Sequence, residues 1–130
     1  MIAAGIGCKR GAPASDIEAA IRAALARAHI GAGALDVIAT MEAKSNEPGI
    51  RATAEKLRVS LIVVPDLELA AAGDRIETHS ERVAAFAGVG SVAEAAALAA
   101  AGPAGKLIVP RVIVGAATCA LAASAPDTAP

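Results

Sequence analysis

The chain has 130 residues, 12 Lys+Arg against 13 Asp+Glu, 55% hydrophobic residues and 19% charged ones. That length holds one domain, and that composition excludes a disordered body. A formal net charge of −1 and a single aromatic residue, one Phe with no Tyr or Trp, lack the basic excess and the stacking platforms of nucleic-acid binders.

Met1 to Ile6 is a short apolar run that predicts a buried first strand over 2–6. Gly7-Cys8-Lys9-Arg10-Gly11-Ala12-Pro13 reads as a loop by composition. Ser15-Asp16-Ile17-Glu18 has the spacing of a capping box. Ile17, Ile21, Ala24, Leu25 and Ala28 follow on one helical face, and Gly31 and Gly33 are expected to end that helix. A second strand is expected over 36–40, leaving through Thr40-Met41-Glu42. Asn46 is expected to cap the next helix, with Pro48 in its first turn and Ile50, Ala54 and Leu57 on its inner face. Val59 to Val64 is the clearest strand, ended by Pro65, and Asp66 to Ala72 reads as a short helix.

Gly73 to His79 is a polar connection, and Ser80 is placed to cap a helix with Val83, Ala84 and Phe86. Ser91-Val92-Ala93-Glu94 is a second capping box ahead of an Ala/Leu helix reaching Ala101. After the turn Gly102-Pro103-Ala104-Gly105, Leu107 to Val109 and Val112 to Val114 read as two strands or one bent strand, and the strands are expected over 107–110 and 112–121. The alternation predicts a three-layer α/β/α fold on a mostly parallel, mixed sheet of about five strands, one of the last two running antiparallel. Residues 1–122 form the single expected domain and 123–130 a flexible tail. Alanine fills 37 of the 130 positions, so Val, Ile and Leu in strands are expected to carry most of the apolar burial.

The longest apolar run, Leu107 to Ala123, is broken by Pro110, Arg111 and Gly115 and falls short of a membrane span. The N-terminus lacks the basic start of a signal peptide. Cys8 and Cys119, far apart in sequence, are expected as reduced thiols in the cytoplasm. His29 and His79 accompany no HxxxH or CxxC pattern, so no metal is expected, and no cofactor is assigned.

Chemistry concentrates in two segments. The loop Gly7, Cys8, Lys9, Arg10, Gly11 leaves a strand and precedes a helix, where α/β proteins place ligands. Its backbone N–H groups and two cations suit a carboxylate or phosphate, or else form a solvated turn. Gly5-x-Gly7-x-x-x-Gly11 is a partial match to the dinucleotide fingerprint, but Pro13 and Ser15 delay the helix on which a pyrophosphate would rest. Lys9 and Arg10 would lower a Cys8 thiol pKa, yet no neighbour in sequence supplies a base, so no catalytic residue is assigned. The second segment holds Thr40, Glu42, Lys44 and Glu47, expected at the same sheet edge.

Four blocks in register carry a resemblance. Gly5 to Gly11 is similar to the opening GIGCRRG of the CobE/CbiG C-terminal domain family of cobalamin-biosynthesis proteins. Ala39 to Gly49 is similar to its A-T-x-D/E-x-K-x-D/N-E-x-G, and Gly88 to Ala97 resembles its GV-x-SVAEAAA. Leu107 to Arg111, with Gly115 and Thr118, resembles the closing L-x-x-P-K, G, T pattern, with Arg111 where lysine is more usual. The resemblance spans residues 2 to about 122, and because the chain begins with this domain it implies the stand-alone branch of the family.

The resemblance implies a corrin or precorrin intermediate as partner, its acetate and propionate groups met by Lys9, Arg10, Lys44 and Arg111. Alternatives are a hydrolase acting on a precorrin lactone, as in the two-part relatives of which this domain resembles only the C-terminal part, and a non-catalytic subunit docking on other enzymes of the pathway.

Overall fold

The structure is a computed structural model, and it describes residues 1–76 and 91–124. Its strands are β1 (Ile2–Cys8), β2 (Val37–Met41), β3 (Ser60–Val64), β4 (Lys106–Val114) and β5 (Ala117–Ala123). Its α-helices are α1 (Ala14–Arg27), α2 (Pro48–Leu57), α3 (Asp66–Ala72) and α4 (Val92–Ala101). The helix expected around Val83 to Phe86 lies outside the described residues.

The sheet order is β3-β2-β1-β5-β4. β1 pairs in parallel with β2, and β2 with β3; β5 is antiparallel to both β1 and β4. Four strands therefore point the same way and β5 alone opposes them, which agrees with the mixed sheet expected. β5 continues through Ala123, and the N–H of Ser124 donates to the Met1 carbonyl (3.0 Å).

Four local expectations are corrected. Gly7 and Cys8 belong to β1, because β5 continues to pair with them through Thr118 and Ala117. β4 passes through Pro110 as one strand with register shifts between Leu107 and Val112, and the turn falls at Gly115 and Ala116 instead. The first capping box does not form: α1 begins at Ala14, and its N-cap Pro13 makes no side-chain bond. Glu18 instead accepts from Arg22 (2.8 Å) and from Lys56 of α2 (2.7 Å), and this pairing holds its carboxyl below the usual carboxylate range. α1 ends at Arg27 with His29 at φ 56°, before either glycine.

Two apolar layers cover the sheet. On one face Ile17, Ile21 and Leu25 of α1 and Ile50 of α2 pack with Ile6, Ile38 and Leu121. On the other, Leu69 of α3 and Leu98 of α4 pack with Ala39, Val64 and Ala122. Helices thus supply as many large buried side chains as strands do, which corrects the expectation of a strand-borne core. The alanines Ala93, Ala95, Ala96 and Ala97 are buried because α4 lies very close to β1. No helix among the described residues is long and apolar enough to cross a membrane.

Candidate functional site

The carboxyl ends of β1 and β2 meet at one edge of the sheet. At the exit of β1 the Lys9 N–H donates to the Ala116 carbonyl (2.9 Å), and the Ala12 N–H donates to the Lys9 carbonyl (3.0 Å). Gly11 has φ +74°, the left-handed conformation a type II turn requires at its third residue. Lys9 and Arg10 are exposed on this turn.

β2 leaves through a 3-10 turn, Glu42–Lys44, closed by the N–H and hydroxyl of Ser45 on the Glu42 carbonyl (3.1 and 2.8 Å). The Glu47 N–H donates to the Lys44 carbonyl (3.1 Å), and Arg51 Nε donates to the Ser45 carbonyl (2.8 Å). Glu47 is the N-cap residue of α2, where Asn46 was expected. Its carboxylate makes no cap bond, because Oε1 accepts the N–H of Gly11 at 2.8 Å. That bond ties the two segments together.

Cys8 sits between them, partly buried. Burial pushes its thiol up from the ordinary value, Lys44 opposes the rise and Glu47 adds to it. The activation expected from Lys9 and Arg10 is therefore overturned: desolvation of a thiolate outweighs the nearest cation. Lys44 is partly buried, and Glu42 is exposed at the strand exit.

Other candidates are placed away from solvent or away from the edge. Thr40 is fully buried and donates its hydroxyl to the Ile6 carbonyl (3.0 Å), a bolt between β2 and β1. Gly7 is buried, with its carbonyl accepting from Thr118 Oγ1 (3.2 Å). Arg111 lies in β4, and its backbone N–H donates to Oε2 of the fully buried Glu94 (2.8 Å). β4 and β2 are three strand spacings apart in the sheet, about 14 Å. Arg111 thus stands on the far flank from Lys44.

Glu18 pairs with Arg22 and Lys56, whereas Lys9, Arg10, Lys44 and Arg111 are in no ion pair among the described residues. Two residues that matter here carried a misleading local pattern. Asp16, read as part of a capping box, accepts the N–H of Ala116 (3.0 Å) and so braces the turn that holds Lys9. Glu94, also read in a capping box, reaches across to β4, while Ser91 does accept the Glu94 N–H (3.3 Å).

Fold and edge together define a small α/β domain with a braced basic turn at the carboxyl ends of its parallel strands. Residues 2–122 match the family model for the cobalamin synthesis G C-terminus, and the chain belongs to that family. It is similar to Protein CobE from Sinorhizobium sp., 38% identical over 121 residues that cover 93% of this chain and 79% of that protein. It resembles the crystal structure of CobE, a protein from the cobalamin (vitamin B12) biosynthetic pathway, with a TM-score of 0.87 and 32% identity over 94% of this chain and 89% of that one. Cobalamin biosynthesis protein chiG from Agrobacterium tumefaciens str. C58 matches with a TM-score of 0.76 and 38% identity, covering 96% of this chain and 99% of that one. The role of the chain lies in cobalamin biosynthesis.

Proposed function

We propose that the domain binds a corrin or precorrin intermediate at the edge formed by the exits of β1 and β2. One observation carries the reading: Lys9, Arg10 and Lys44 gather on braced backbone at that edge without an ion-pair partner among the described residues. A macrocycle rich in acetate and propionate groups supplies the carboxylates that match them. With one Phe in the chain and no Tyr or Trp, recognition rests on the rim of the ring rather than on aromatic stacking. The raised Cys8 pKa speaks against a thiolate nucleophile at the same place, so binding is favoured over a Cys8-based hydrolase. Both cysteines are free, which suits the cytoplasm as the compartment.

Uroporphyrin, an octacarboxylate tetrapyrrole, serves as the probe, with its absorbance as the signal. Each charge-assisted bond contributes roughly 1.5–3 kcal/mol, so Arg10→Ala is expected to weaken binding by about one to two orders of magnitude. The melting temperature should stay unchanged, since an exposed charge contributes little to stability. Unaltered affinity in both Arg10→Ala and Lys44→Ala would reject the reading in favour of a subunit that docks on another enzyme of the pathway.

A further inference from the structure

The carboxylate of Glu47 stands at the edge that the proposed function makes a receptor for anions. By charge alone it opposes a polycarboxylate ligand. Its geometry gives it a different part. Oε1 accepts the Gly11 N–H at 2.8 Å, and the Glu47 N–H donates to the Lys44 carbonyl at 3.1 Å. On the far side of the turn, Lys9 is fixed by Ala116, which Asp16 fixes in its place. The turn that carries Lys9 and Arg10 is thus held from both ends, and neither carboxylate is in an ion pair with those cations.

We propose that Glu47 is a positioning residue, a latch that holds the Lys9–Arg10 turn and the Lys44 backbone in one rigid receptor, and that it is not itself a ligand contact. The inference rests on the binding reading above and concerns how that site achieves affinity. A free turn must be ordered when the ligand arrives, and a latched one is ordered beforehand. Latch and charge make opposite predictions. If Glu47 acts by charge, every substitution that removes the charge tightens anion binding. If it acts as a latch, binding follows the hydrogen bond to Gly11.

The test titrates uroporphyrin into Glu47→Ala, Glu47→Gln, Glu47→Asp and Arg10→Ala, with amide hydrogen exchange at Gly11 followed by NMR. Glu47→Ala should weaken binding about tenfold, in the range of one lost charge-assisted bond, and speed Gly11 exchange to a similar degree. Glu47→Gln keeps an acceptor and loses the opposing charge, so it should bind at least as tightly as the parent with the Gly11 amide still protected. Glu47→Asp keeps the charge but is one methylene short; it should weaken binding, and it preserves the test should Glu47→Ala not fold. Tighter binding by both Glu47→Ala and Glu47→Gln, or unchanged Gly11 exchange in Glu47→Ala and Glu47→Asp, overturns the latch. Affinity indifferent to both Arg10→Ala and a parallel Lys44→Ala instead overturns the binding reading, so the two failures are distinguishable.

Discussion

A Cβ built on Gly5 would collide with the carbonyl oxygen of Ala93 and lie 2.5 Å from the amide nitrogen of Ala97. Both atoms belong to the backbone of α4, so no side-chain rotation relieves the clash. The first glycine of the Gly-Ile-Gly-Cys block therefore lets a helix rest on a strand, and it has no part in cradling a phosphate. Gly5→Ala should cost about 3 kcal/mol, the range for forcing extra volume into a packed core, measured by urea unfolding followed by circular dichroism. A loss below about 1 kcal/mol would mean that α4 can slide away from β1 at little cost. Gly11 differs: nothing lies within 4 Å of its would-be Cβ, and only its positive φ calls for glycine.

α4 is the element that joins the layers, resting on β1 with its alanine face and held at both ends. Ser91 caps its first turn (3.3 Å), and Glu94 links that turn to β4. At the other end Arg75 Nη1 donates to the carbonyls of Gly102 (3.1 Å) and Gly105 (3.0 Å). Arg75 was read only as part of a polar connection, yet its guanidinium bridges carbonyls past a helix end, adding a second donor to the Gly102 oxygen, which also accepts the Gly105 N–H (2.9 Å). Arg75→Ala should destabilise the fold by about 1.5–3 kcal/mol, the range for hydrogen bonds from a charged donor. Arg75→Lys should recover only part of this, because an ammonium cannot present a planar fork to several carbonyls. Equal stability of Arg75→Ala and the parent protein in urea would show that water replaces the guanidinium without loss.

At the scale of the whole molecule, β5 is an interior strand of the sheet, between β1 and β4, and Cys119 is fully buried within it. Burial pushes the Cys119 thiol far above its ordinary 9.0. A folded-state pKa raised in this way gives stability that is complete below pH 9.0 and is lost as pH climbs toward the folded value, because the unfolded chain releases its proton first. The chain has no tyrosine to titrate in the same window. Urea stability should fall above pH 9 by up to about 1.4 kcal/mol per pH unit on account of this thiol. Cys119→Ala should show a shallower slope in that range, whatever its stability at neutral pH. Identical slopes for the two proteins would mean that Cys119 escapes its burial before the molecule unfolds.

Much of this was legible in the residues themselves. Apolar runs and helical spacing are local properties, and they located β1 to β3 and the helices α1 to α4 to within a few residues, while the break between the last two strands was set at Pro110 and Arg111 rather than at Gly115 and Ala116. The same local reading put a basic, glycine-bearing turn at the end of the first strand. Four sequence blocks pointed to the family that the chain belongs to. What the tertiary structure alone decided is which distant groups meet. The Ala116 N–H finds Asp16 across 100 positions and Thr118 finds the Gly7 carbonyl across 111. β5 enters between β1 and β4, and that insertion lengthens β1 through Cys8 and moves two supposed loop residues into the sheet. Asp16, Glu18, Glu47 and Glu94 all stand where a helix-capping pattern would use them. In the fold each carboxylate takes a donor outside its own first turn: Ala116, Lys56, Gly11 or Arg111. Sequence spacing measures what a residue can reach along its own element, whereas a carboxylate settles on the donors that packing brings to it, and those are set only when the sheet order is complete.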